Sequence, residues 1–319
     1  MSVSGARGIV TAVAVALAAA VLGGLPWLLT GARLPLQNLW ASETPPAQMP
    51  HTMLPFSQYS LVFQASIIIV GAGLAGLSVR LLARVLDRHA PLAGVAGAML
   101  AVLYIAAIIQ TGLTVASGLQ RDLPGWRGVL GDEDARPLSG ASQLYLAGLI
   151  GVAIVVVLFA LAVYVVVARA RVPAAAVALS IVAVLLGPWV RELVQATAVI
   201  EPTRPAAWLD PITWVPPIGV GLAICWCGVR GVRRIVAAAV CLAVLWLVPA
   251  LLETVSAVAG SRALVHDPRE LADYGWGLFR MLLGPAGWSL PLLGAAVVVA
   301  VAGAVGARLV RRARPPASP

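Results

Sequence analysis

The residues with chemistry to offer are few, and the polar ones inside apolar stretches fall into three groups. Gln110, Thr111 and Thr114 lie in one stretch, Arg191, Glu192 and Gln195 in a second, and Glu253, Thr254 and Ser256 in a third. Read as helices rising 1.5 Å per residue, all three groups sit within roughly 5–12 Å of the same end of their stretches. An ionised side chain at a bilayer centre costs ~2.5–3.5 kcal/mol, so such groups face protein or water and find partners. The pattern predicts that Arg191 pairs across helices with Glu253, while Glu192, turned by about 100°, meets a polar surface or water. Two readings compete. One is a clamp between helices, or side chains snorkelling to the headgroups. The other is an outward-facing cavity for a small or lipidic solute. Pro188 and Pro249, each four residues before an acid, free carbonyls at that level and add weight to the cavity.

Other motifs lose their chemistry in context. Gly71-Ala72-Gly73-Leu74-Ala75-Gly76 matches the dinucleotide fingerprint, but it lies inside an apolar run with no strand before it. Small residues there are expected to let a neighbouring helix approach closely. Cys225, Cys227 and Cys241 all fall in apolar stretches and read as small fillers, and the first two diverge around a helix too far to pair. His51, His89 and His266 lie in loops, so no histidine pair is available to ligate a haem. Asp132-Glu133-Asp134 suits a hard cation only loosely and reads as a solvated turn. No metal and no cofactor are expected. Tryptophan concentrates toward one face, and Trp40, Trp126, Trp208 and Trp276 form a candidate exterior aromatic surface for a lipid headgroup, a sugar or a partner protein.

The elements that hold these residues follow from composition. Of 319 residues 61% are hydrophobic and 11% charged, and the mean hydropathy of +0.95 excludes a water-soluble domain. The chain reads as all-α, a polytopic integral membrane helical bundle of about eight transmembrane helices. A core of ~30 Å needs roughly 20 apolar residues per crossing, which places spans near 8–30, 58–82, 92–118, 143–168, 173–198, 214–232, 235–258 and 287–307. Residues 1–310 make one transmembrane domain, and 311–319 form a basic, proline-rich tail. The first span reads as a retained anchor, with a cleaved secretory signal as the alternative.

Arginine sets the orientation. Every basic residue is arginine; thirteen face Asp87 alone on one side, against eight arginines and ten acids on the other, so both termini are expected in the cytoplasm. Connections on the arginine-rich side are short, whereas the opposite loops are elaborated. Leu25-Pro26-Trp27 resembles Gly187-Pro188-Trp189, and a parallel repeat of helices one to four in five to eight is the economical account. Asp267-Pro268-Arg269-Glu270 predicts the start of a short interfacial helix, weakened by Gly275 and Gly277.

The function expected is a carrier or binding protein for a small or lipidic solute in a bacterial plasma membrane. The alternative is a non-catalytic subunit or assembly factor of an envelope complex, gripping a membrane protein partner through exterior loops. An envelope enzyme on a lipid-linked substrate, with Glu43 or Asp210 as general base, fits least, because no span carries a histidine beside a serine. Membrane lipids are expected partners and nucleic acid is not. The short inner loops leave no room for a nucleotide site.

Overall fold

The computed structural model describes residues 3–34, 49–86, 89–119, 139–197, 210–261, 267–284 and 289–313. These form helices α1 (Val3–Leu29), α2 (Leu61–Leu86), α3 (His89–Leu119), α4 (Ser139–Arg169), α5 (Val172–Thr197), α6 (Val215–Cys227), α7 (Val232–Gly260), α8 (Pro268–Leu283) and α9 (Ser289–Ala313). Six are long and apolar enough to cross a membrane, and shorter apolar segments occupy Pro211–Cys227 and Leu290–Gly306. The chain is therefore a multi-pass, all-α membrane bundle. With no water in the hydrocarbon, only helices satisfy their own backbone groups one by one.

The sixth helix is shorter than the span expected at 214–232. Helix α6 ends at Cys227, because Gly228 and Gly231 adopt φ of 71° and 93°, a left-handed backbone that breaks a helix and suits glycine. A 3-10 turn, Pro211–Trp214, leads into α6 from the arginine-poor side, the one expected to be outer, and partly restores its length.

The first four helices and the set α5, α6, α7 and α9 use the same neighbour pairs. In the first set α1 packs on α2 and α3, α4 packs on α2 and α3, and α2 meets α3; substituting α5, α6, α7 and α9 in order gives the contacts of the second. Helix α8 is an insertion before the last member. The sets are joined unequally, since α5 also packs against α1, α2 and α4 whereas α1 has no comparable contact with α6 or α9 among the described residues.

Helix α2 is the hub, and its glycines explain how. A methyl group on Gly71 would lie 2.7 Å from the Tyr104 hydroxyl of α3 and 3.0 Å from the Ala19 carbonyl of α1. On Gly73 it would meet Val182 of α5 at 2.5 Å, and on Gly76 the Tyr164 carbonyl of α4 at 2.9 Å. Three small residues thus admit four neighbours, which is the packing expected of this motif in a membrane. Tyr104 and Tyr164 seal the set by donating to the Ile68 and Ala93 carbonyls at 2.8 and 2.7 Å.

Helix α8 begins as its sequence predicts. The Asp267 carboxylate accepts from the Arg269 and Glu270 amides at 2.9 and 3.2 Å, and Pro268 occupies the first turn. Gly275 needs a correction: it is buried against α7, where an added methyl would stand 3.0 Å from Val258, so it is the point of docking and not a weakness. Leu271, Gly275, Leu278 and Leu282 make the inward stripe, while Tyr274 and Trp276 are exposed.

Candidate functional site

The polar groups near the outer ends divide into two unequal pieces. On α3, Gln110 and Thr111 grip the backbone of the segment that precedes α2. The Gln110 side chain accepts from the Met53 amide at 2.9 Å and donates to the His51 carbonyl at 3.0 Å; the Thr111 hydroxyl accepts from the Leu54 amide at 3.1 Å. Thr114 braces this arrangement, within 3.3 Å of the Gln110 amide nitrogen and donating to the Gln110 carbonyl at 2.9 Å.

The same segment is held from its other side by the end of α1. Trp27 donates its indole N–H to the Thr52 carbonyl at 2.8 Å, the Thr52 amide donates to the Ala32 carbonyl at 2.9 Å, and Arg33 and His51 form an antiparallel bridge. Thr52, Leu54 and Phe56 are buried. Residues 50–56 therefore lie as a strap across the outer ends of α1 and α3. Unpaired backbone would be costly where the strap is buried, since each unpaired buried amide forfeits about 1–3 kcal/mol; the Thr111 hydroxyl removes that cost at Leu54.

The second piece departs from expectation. Arg191 does not reach Glu253; it lies 3.7 Å from Asp210, with side chains 43% and 27% exposed. Asp210 sits where the chain enters the 3-10 turn and also caps it, accepting from the Ile212 amide at 3.0 Å. Both its oxygens are engaged, which argues against the general-base role considered for it. Glu253 is exposed on α7. Its neighbour Thr254 is buried and donates to the Ala250 carbonyl at 2.8 Å, closing a bond within its own helix. Glu192 and Gln195 are half-buried on α5. The predicted ionic pair was misassigned because a loop carboxylate lies closer than the one across the bundle.

Trp189, at the level of this group, donates to the Gly23 carbonyl of α1 at 2.8 Å and so ties the second set of helices to the first. Of the proposed aromatic surface, Trp276 is 60% exposed beside Phe279, ring centroids 6.0 Å apart. Trp40, Trp126 and Trp208 lie outside the described residues, as do Glu43, the acidic triplet at 132–134, and His266. No group of three metal-ligating side chains occurs among the described residues.

Sequence reasoning missed two features. Gln64 on α2 is 1% exposed, and neither atom of its side-chain amide has a hydrogen-bond partner among the described residues. The other is a cavity of about 630 Å³ at the arginine-rich end, lined by Arg80, Arg171, Arg230, Arg233 and Arg234. Those arginines had been explained by orientation alone. Compared with known proteins, the chain matches no family model, no curated protein and no solved structure.

Proposed function

We infer that the protein is a non-catalytic membrane subunit that holds a fixed exterior surface against an envelope protein partner. The observation that carries this reading is the strap: Gln110, Thr111 and Trp27 are spent on securing residues 51–54 and not on lining a solute cavity. Arg191 and Asp210 secure the approach to α6 in the same manner. Helix α8 is docked on α7 with Tyr274 and Trp276 turned outward, and exposed aromatics on a rigid support are the groups that dominate protein recognition.

The carrier reading draws on the repeated helix neighbours, because many carriers move one repeat against the other. Against it stand the unequal junction through α5 and the close contact of Gly73 with Val182, which leave the two sets little freedom to rock. Affinity purification from native membranes tests the subunit reading. The expected result is one membrane protein recovered in fixed proportion, lost on Trp276→Ala with folded yield intact. Recovery independent of Trp276 and Tyr274, or no partner at fixed proportion, refutes it.

A further inference from the structure

The arginine-lined cavity asks more of the chain than orientation requires. A topogenic arginine needs only to stay on the cytoplasmic side. Here Arg80 comes from α2, Arg171 from the turn between α4 and α5, Arg230 from the turn before α7, and Arg233 and Arg234 from the first turn of α7, and all line one space. Three segments remote in sequence have brought five like charges together. Arg191 and Asp210 form their ion pair at the opposite end, and no carboxylate among the described residues is paired with any of these five arginines.

The backbone adds to the same potential. Val172 and Val232, the first residues of α5 and α7, also line the space. Helix starts leave amides unbonded and carry a partial positive charge. Gly231, before α7, makes no side-chain cap, and its carbonyl accepts from the Arg234 and Ile235 amides at 3.0 and 3.2 Å. Arg80 is held in place: one terminal nitrogen donates to the Val167 and Ala170 carbonyls at 2.8 and 3.0 Å, and its guanidinium lies 5.1 Å over the Trp226 ring. It is 9% exposed, a buried cation at the wall of the cavity.

We propose that this cavity binds a phosphate group at the cytoplasmic surface of the membrane. Phosphate fits on three counts. Guanidinium groups bind it through paired charge-assisted hydrogen bonds, helix starts favour it, and an anion relieves the mutual repulsion of the five arginines. A volume of about 630 Å³ exceeds what one inorganic ion needs. It falls within the ~300–1,000 Å³ of ligand pockets, and basic pockets between membrane helices on this side suit anionic lipid headgroups. The phosphate is carried either by such a headgroup or by a soluble ion.

Two arms distinguish the sources. In the first, native mass spectrometry measures lipid retained by the purified protein after exchange into vesicles of phosphatidylcholine doped with phosphatidic acid. In the second, thermal stability is followed against inorganic phosphate, with chloride at matched ionic strength. Retained phosphatidic acid identifies a headgroup site, and a saturable shift with phosphate alone identifies a soluble ion. Arg233→Gln with Arg234→Gln should weaken whichever binding occurs by about tenfold or more, because each lost charge-assisted bond is worth about that factor. Arg233→Lys with Arg234→Lys keeps the topogenic charge and removes the planar fork, so it reads the site even if the glutamine protein fails to insert; a partial loss is expected. Arg84→Gln, outside the lining but close enough for its charge to act on Arg80, should weaken binding less than the cavity variants do. Binding that is absent in both arms, equal in the cavity variants, or equally reduced by Arg84→Gln overturns the proposal.

Discussion

Replacing Thr111 with valine removes from α3 one hydroxyl that holds the strap while keeping nearly the same shape. Thr111 is wholly buried and Leu54 is 4% exposed, so the Leu54 amide would lose its acceptor with no water to replace it. An unsatisfied buried amide costs about 1–3 kcal/mol, which corresponds to a roughly 5- to 150-fold larger opening constant for the strap. Hydrogen exchange of the protein in lipid nanodiscs reads this at the Leu54 amide. The Met53 amide should speed less after Gln110→Leu, because Met53 is 58% exposed and water can take over its bond. An amide deep in α4, such as that of buried Ala160, serves as the reference. Unchanged exchange at Leu54, or equal acceleration at Ala160, would refute the idea that Thr111 locally secures the strap.

Further outcomes follow from the packing and the outer ion pair. Gly23→Ala should abolish most monodisperse yield in size-exclusion chromatography, since its methyl would meet the Ile67 carbonyl at 2.5 Å and the Gly71 backbone at 2.7 Å, whereas Gly24→Ala, with nothing within 4 Å, should be recovered normally. Gln64→Met should raise the melting temperature, because it removes two unpaired buried polar atoms at nearly constant volume. Asp210→Asn should cost at most about 1 kcal/mol by thermal denaturation, the usual limit for a half-exposed pair, and Asp210→Ala should cost more by losing the cap as well.

The eight apolar segments could be read directly because hydropathy and length are properties of contiguous residues. The start of α8 was legible for a related reason, since Asp267 and Pro268 act on their immediate neighbours. Tertiary facing was another matter. Arg191 and Glu253 share a depth, but adjacent helical positions differ by about 100°, and depth alone does not say which side of α7 carries Glu253. Asp210, the actual partner, precedes a short 3-10 turn that leaves no periodic trace. Gly275 was misread for a similar reason: a glycine that weakens an isolated helix also admits a neighbour, and the choice depends on α7. The cavity was hidden because the inner-face excess of arginine already accounts for its composition, and only the fold brings Arg80, Arg171 and Arg233 to one place.

The central claim, that the two sets of helices form a fixed support and do not rock, is tested most directly by locking them together. A β-carbon at Gly73 would lie 3.3 Å from that of Val182, close to the ~3.5–4.5 Å spacing of a disulfide. Cysteines at 73 and 182, in a chain with Cys225, Cys227 and Cys241 replaced by alanine, can be oxidised and reduced in native membranes, with partner recovery measured in each state. A fixed support predicts equal recovery in both states. Recovery lost on oxidation and regained on reduction would mean that motion between the sets is required, and would contradict the account.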